Sequence, residues 1–410
     1  MALRSSSATA EAAGTLVSGD VRRHNLSIVA RYLLENGPSS RSQIADGTGL
    51  TRGSVTALAA VLLDAAIIHE ASPENARGKG RPLTLLSLAA DHVAILALQL
   101  DADRVTGFLT TITGEPLLRI AEQHGRPMGQ PEPVLDVMAS VLGRTLDACQ
   151  DLGRRLADMT VVVFAPVGGE PPVVIADTDL GWGAVDVLGG LRQREPRMPP
   201  DAALLPDAPL AASAELVRLK DTLDMIYLKS NSGIGGAIIL NGTVVEGAHR
   251  LAGAFGHVPL VPDGEPCGCG QRGCLVTVAG PDAVLHAAGL GPLLVAGGLE
   301  AALDELTDRV LAGEPLALAA WDGAAGWIAR ALQILAMSID PQAIVLGGYW
   351  ARLADSVARR FADIRPPTWP DAARMATVVV AGRLDGDAAL LGAVWSARDR
   401  LLLDPLRISI

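Results

Sequence analysis

"GHVPLVPDGEPCGCGQRGCLVTVAG", residues 256–280, holds three of the chain's four cysteines within eight residues, and the first of them follows His257 by ten. Thiolate and imidazole are the protein ligands zinc prefers, and a structural site closes a tetrahedron with four of them. His257, Cys267, Cys269 and Cys274 supply one nitrogen and three sulfurs, and glycines at 264, 268, 270 and 273 let the backbone fold tightly around an ion. With four protein ligands no position is left for water, so the expected ion is one structural Zn2+ per chain. Two other readings are a reduced, metal-free thiol cluster and a Cys-Cys redox pair. Cys-Gly-Cys closes an awkwardly tight disulfide ring and Cys149 lies far away in sequence, so the spacing favours the metal.

The rest of the composition frames that motif. A chain of 410 residues with 49% hydrophobic and 19% charged residues is globular, with length for two or three domains. The start, MALRSSSATAEAAG, has no apolar run of signal-peptide length and is expected to be a loose tail. The most apolar stretch, 316–337, is interrupted by Asp322 and Arg330, so no membrane span is expected. Four cysteines make no disulfide framework, which points to a reducing cytoplasm. The net charge of −11 argues against nonspecific nucleic-acid binding by the whole chain, but it is unevenly spread. Residues 1–90 carry nine Lys+Arg against seven Asp+Glu, a mildly basic head on an acidic body.

In that head, RRHNLSIVARYLLEN (22–36) places Leu26, Val29, Leu33 and Leu34 at helical spacing before Gly37-Pro38 ends the run. A short helix around Arg41 to Asp46, closed by Gly47 and Gly49, precedes a third helix that begins at Thr51, an expected N-cap. Val55, Leu58, Leu62 and Leu63 form its apolar stripe. Two short helices joined by a glycine-containing turn form a helix-turn-helix pattern, whose second helix would enter a major groove. Gln43, Thr51, Arg52, Ser54 and Thr56 are the expected contacts. Ile67-Ile68-His69-Glu70, the basic loop 76–82 and Leu83-Thr84-Leu85-Leu86 then read as a wing, with Arg77, Lys79 and Arg81 set against phosphates or a narrow minor groove. The alternative is a three-helix protein-binding module with a solvated basic loop. One such unit reads few base pairs, so a dimer on a two-part site is expected.

With G-H, the ten-residue step and C-x-C-G-x-x-G-C, preceded by LAGAFGH, the sequence resembles the ROK family of repressors and sugar kinases from about residue 22 onward. SNSGIGGAIILNGTVVEGAHRLAG (230–253) resembles that family's glycine-rich turn, hairpin and following helix. Residues 340–348, DPQAIVLGG, resemble its late strand and double glycine, and DGDAALLGAVWSA (385–397) its closing helix. The resemblance implies a winged helix-turn-helix head followed by a two-lobed, actin-like (ribonuclease H-like) α/β body with a ligand cleft between its lobes. The residue pattern agrees with a mixed α/β body: strands at 93–100, 104–112 and 116–123, helices around 131–157 and 209–220, a strand at 158–164, and a second lobe opening at MIYLKS, 225–230. The expected domains are a tail (1–20), the head (21–88), a first lobe (89–222, completed by about 385–410) and a second lobe with the zinc site (223–384).

The family's kinases carry a phosphate loop D-x-G-G-T, and the matching segment here is Asp101-Ala102-Asp103-Arg104-Val105. Side chains at both glycine positions block close backbone approach, and Asp103 adds negative charge where a phosphate would sit. The N-D-A-N segment reads Pro206-Asp207-Ala208-Pro209, so the base position Asp207 persists while its asparagine neighbour is lost. G-E-x-G-H reads Gly253-Ala254-Phe255-Gly256-His257, and the Leu-Glu after the last cysteine reads Leu275-Val276. Three of five sugar-contact positions implied by the resemblance are therefore Pro206, Ala254 and Val276, while Asp207 and His257 remain as effector-site candidates. Each buried hydroxyl left without a partner costs roughly 1–3 kcal/mol, which turns the cleft away from ordinary hexoses.

The function expected from these readings is a sequence-specific DNA-binding transcriptional regulator, a repressor, with an inactive kinase-like body that assembles a homodimer or homotetramer and senses an effector that need not be a sugar. The alternatives are an ATP-dependent sugar kinase with a DNA-binding head, and a dimeric DNA-binding protein with no effector. Local structural roles also stand for three segments: Asp207 as a helix cap, 232–236 as a hairpin turn, and Trp182 as a packed aromatic.

Overall fold

The computed structural model describes residues 18–71, 84–89, 92–364 and 377–407. They fall into two compact units, one from the stretch 1–93 with 398–410, the other Ala94–Ala397. The last residues, assigned from the sequence to the first lobe, thus group with the head.

In the first unit, α1 (Ser18–Asn36) buries Leu26, Val29 and Leu33 as their spacing requires. β1 (Ser39–Ser40) leads into α2 (Arg41–Thr48), which Gly49 closes in a left-handed conformation at φ 74°. α3 (Arg52–Asp64) follows, with Thr51 as its N-cap and Val55, Leu58 and Leu62 buried. β2 (Ile68–Ala71) and β3 (Leu85–Leu88) pair antiparallel, and β1 adds to the far side of β3. Helix, helix, helix and a small antiparallel sheet is the expected winged arrangement. Residues 72–83, which carry the candidates Arg77, Lys79 and Arg81, lie outside the described residues.

The second unit contains two five-stranded sheets of one design. In the first, β4 (Val93–Leu100), β5 (Arg104–Thr111) and β6 (Pro116–Gln123) form an antiparallel meander. The chain continues through α4 (Pro131–Asp151), β7 (Arg155–Val163), a ribbon of β8 (Val167–Gly168) and β9 (Val173–Val174), α5 (Val187–Arg194) and β10 (Ala203–Pro206). The spatial order is β10-β7-β4-β5-β6. After α6 (Asp207–Leu216), β11 (Met225–Ser230), β12 (Ile234–Leu240) and β13 (Thr243–Val244) repeat the meander. β14 (Ala343–Gly348) and β15 (Val378–Ala381) then complete the order β13-β12-β11-β14-β15. Counted within each sheet, both read third, second, first, fourth, fifth. That duplication is the actin-like body.

Helices cover these sheets: α7 (Leu275–Ala279), α8 (Pro281–Ala287), α9 (Gly291–Leu311), α10 (Pro315–Ile339), α11 (Ala354–Asp363) and α12 (Ala388–Leu403). All eight residues of β4 are buried, the signature of a strand covered on both faces. Trp182 packs in the first core and Trp321 in the second. α6 and α12 cross so closely that a Cβ on Gly392 would lie 2.1 Å from the Leu210 carbonyl oxygen, so glycine is required there. No single described helix is long and apolar enough to cross a membrane.

Three expectations need correction. The helix expected over 131–157 stops at Asp151, because Gly153 turns the chain at φ 64° and β7 begins at Arg155. The helix expected over 209–220 is α6, which starts two residues earlier at Asp207 and ends at Leu216. No helix follows the 234–244 hairpin. Gly247, Arg250 and Gly253 have φ of 75°, 56° and 98°, and left-handed residues at that density break a right-handed helix.

Candidate functional site

The cysteine segment folds into a compact knuckle. A short 3-10 turn, Phe255–His257, delivers the histidine, and Cys274 is the N-cap residue of α7. Between them the Cys267 amide donates to the Gln271 carbonyl at 2.8 Å and the Gly270 amide to the Cys267 carbonyl at 2.9 Å. Gly273, at φ 69°, packs so that a Cβ would lie 1.9 Å from the Val261 carbonyl oxygen, which leaves room for no other residue. The result brings one ligand atom from each of His257, Cys267, Cys269 and Cys274 within 4.8 Å of one another. Cys267 Sγ lies 3.5 Å from His257 Nδ1, and the Cys269 and Cys274 sulfurs are 3.7 Å apart. A tetrahedral ion with Zn–S bonds of about 2.3 Å sets its sulfurs roughly 3.7 Å apart, so the donor set fits a zinc-sized ion. A disulfide, with sulfurs about 2.05 Å apart, does not match that spacing.

At the C-terminal edges of the two sheets lies a second cluster. Asp207, at the start of α6, is paired with Lys229 of β11, and both side chains are buried. Burial drives the Asp207 carboxyl up, opposed by the Lys229 charge. Burial alone would lower Lys229, but Asp207 and then Asp101 outweigh it and hold the ammonium protonated. Asp179 is also pushed up by burial, opposed by its hydrogen bond with Ser232 and by Arg126. Asp177 accepts the Asp179 and Leu180 amides at 2.8 and 3.0 Å, and burial lifts its carboxyl to about 6.

The segment 101–104 closes this region from the side. Asp103 Oδ2 accepts the Leu299 amide at 3.1 Å, where Gly298 breaks α9 at φ 84°. Arg104 forms a two-point ion pair with Glu300, at 2.7 and 2.9 Å. Asp103 and Arg104, expected from the sequence at the glycine positions of a phosphate loop, thus bind the chain itself. Asp207 and His257, paired as effector candidates from the sequence, have different surroundings: Asp207 faces Lys229, while His257 faces the thiols.

On the head, α3 exposes Arg52, Thr56 and Ala60 in one row, with Gly53 and Ala57 beside them. Thr51 Oγ1 accepts the Ser54 amide at 3.1 Å and shares a hydrogen bond with Ser54 Oγ at 2.9 Å. Thr56 Oγ1 donates to the Arg52 carbonyl at 2.8 Å. Gln43 Oε1 accepts from the Ser40 amide at 2.9 Å, completing a capping box on α2. Four of the five described contact candidates thus also hold their own helices, and Arg52 carries the only positive charge of α3. Lys229, Asp177, Asp179 and Arg126 were not singled out in the sequence. The signal for Lys229 was present: a lysine inside the apolar strand MIYLKS has to find a buried partner.

A family model described as the ROK family matches residues 102–400. The chain belongs to the ROK family. The DNA-binding transcriptional dual regulator NagC of Escherichia coli K12 is 25% identical over 339 residues, covering 80% of this ROK chain and 81% of NagC. A glucokinase of Halalkalibacterium halodurans is 28% identical over 262 residues, 57% of this chain and 75% of its own. Among solved structures, a ROK family transcriptional regulator, homolog of the E. coli Mlc protein, superposes with a TM-score of 0.73 over 95% of this chain and 98% of its own, at 21% identity. The solved regulator's fold, at 95% of this chain, therefore takes in the head as well as the body, whereas the glucokinase match covers 57% of the chain.

Proposed function

We propose that this chain is a sequence-specific DNA-binding transcriptional regulator, a repressor, whose body assembles a homodimer or homotetramer and transfers no phosphate. The observation that carries the reading is the exposed row of α3 led by Arg52, on a three-helix unit with a small antiparallel sheet, attached to a ROK body. A bidentate arginine–guanine contact is worth roughly 1–3 kcal/mol of base discrimination. Arg77, Lys79 and Arg81 are assigned to DNA phosphates, where each adds affinity without selecting sequence. His257 Nδ1 and the sulfurs of Cys267, Cys269 and Cys274 are assigned to one structural Zn2+, which would tie α7 to the 255–257 turn.

Against the kinase reading stand Asp103 and Arg104, engaged with Leu299 and Glu300, and Asp207, paired with Lys229. To act as a general base, Asp207 would have to exchange its Lys229 partner for a substrate hydroxyl. Selection of bound fragments from random DNA, with and without cell metabolites, tests the regulator. Recovery of one two-part motif supports it, and recovery of no enriched sequence overturns it. Phosphorylation of a hexose panel tests the enzyme: turnover abolished by Asp207→Ala would reinstate the kinase.

A further inference from the structure

Between α1 and α3 runs an open groove of 310 Å³, lined by Val21, Arg22 and Asn25 on one side and Ser54, Ala57 and Leu58 on the other. Its lining holds one cation, an amide and a hydroxyl over an apolar floor, and no carboxylate. The arginines of α1 are unequal. Arg23 pairs with Asp404 at 3.5 Å and Arg31 with Asp399 at 3.9 Å, both toward the C-terminal segment of the same unit. Arg22 is exposed and has no carboxylate partner among the described residues. Ala57, on the groove wall, also belongs to the exposed surface of α3.

We infer that this groove seats the sugar–phosphate backbone of the DNA strand bordering the major groove entered by α3, with Arg22 and Asn25 as positioning residues. The inference rests on the regulator reading. The chemistry matches that one occupant: the apolar floor of Val21, Ala57 and Leu58 suits a deoxyribose face, while Arg22, Asn25 and Ser54 present donors to phosphate oxygens. Such contacts fix the register of α3 but carry no base information. They anchor the head beside α3, so that Arg52 meets base edges at a set depth.

The test is anisotropy titration of the full chain, over a salt series, on two duplexes: one recovered by selection and one of random sequence. Arg22→Ala should weaken binding to both by a similar factor, roughly tenfold, and reduce the salt slope by about one unit. Arg22→Lys should keep the slope, and Asn25→Ala should weaken both duplexes a few-fold without changing it. Arg23→Ala serves as the control and should leave the slope unchanged. The inference is overturned if Arg22→Ala leaves affinity and slope intact, if it weakens only the selected duplex, or if sedimentation shows that it dissociates the oligomer. Wild-type protein that retains neither duplex would instead bring down the regulator reading itself, and this inference with it.

Discussion

Asp103 caps the helix that begins at Leu299: its Oδ2 accepts the Leu299 amide at 3.1 Å across 196 residues of sequence. A helix N-terminus presents unsatisfied amides and a partial positive charge, the combination that elsewhere receives a phosphate. Here a carboxylate from the first sheet's β4–β5 turn takes that place. Gly298 makes room for it, since a Cβ there would lie 2.9 Å from the same oxygen and would have to adopt φ 84°. Asp103→Ala should cost about 1 kcal/mol, the usual value of a side-chain N-cap. Hydrogen exchange would show the loss as faster exchange at the 299–303 amides, with β11 unchanged. Unaltered exchange there would mean that the cap does not hold the helix.

Lys229 and Asp207 join the strand opening the second sheet to the helix leaving the first, out of contact with water. Removing one partner strands the other charge, a loss of roughly 3–5 kcal/mol, whereas replacing both with uncharged groups of similar size is often close to neutral. Lys229→Met should therefore lower the melting temperature sharply, and Lys229→Met with Asp207→Asn should recover most of it. Equal melting temperatures for the single and double variants would show that the two groups do not depend on one another.

Much of this molecule was legible in its residues, for identifiable reasons. The strands 93–100, 104–111 and 225–230 stand out because buried strands are short apolar runs bounded by turn residues, and 116–123, which is only half-buried, because it follows them between turn residues. The His257, Cys267, Cys269 and Cys274 cluster was legible because ligand chemistry restricts residue type and spacing together. The helix end at Asp151 was marked by Gly153, a stop signal that the expected helix overran, whereas past Leu216 the residues Val217 to Lys220 continue helical propensity and tertiary packing decides the stop. The links of Asp103 to Leu299 and of Lys229 to Asp207 are long-range pairings. A sequence can mark such residues as odd, as it does the lysine in MIYLKS, but it does not say which residue answers them.

Asp177 makes stability depend on pH. Burial comes first among the causes, and with the neighbouring Asp179 charge it raises the carboxyl from 3.8 to about 6 against the pull of the Leu180 and Asp179 amides. Between those two values the folded chain binds more protons than the unfolded one, so stability falls as pH rises, and above about 6 the loss is complete. The penalty at neutral pH is on the order of 2–3 kcal/mol. Asp177→Asn keeps an acceptor oxygen for both amides and removes the charge. It should raise the melting temperature at pH 7.5 and leave it nearly unchanged near pH 4. A variant less stable than wild type at both pH values would show that the carboxylate form is the one the fold requires.

The His/Cys knuckle gives the most direct stability test. Cys269 is the most exposed of the four expected ligands and Cys274 is fully buried at the start of α7. Cys269→Ser therefore removes one proposed ligand with little change in packing, and Cys149→Ser, at a buried thiol outside the knuckle, controls for the loss of a cysteine. Purified wild type should carry one zinc per chain by elemental analysis, and Cys269→Ser much less. Structural zinc contributes about 10–16 kcal/mol to folding in small peptides and less within a large domain. A strong chelator should therefore lower the wild-type melting temperature toward that of Cys269→Ser and leave the variant unmoved. Absence of zinc from wild type, or a chelator effect as large in the variant, would remove the metal from this fold.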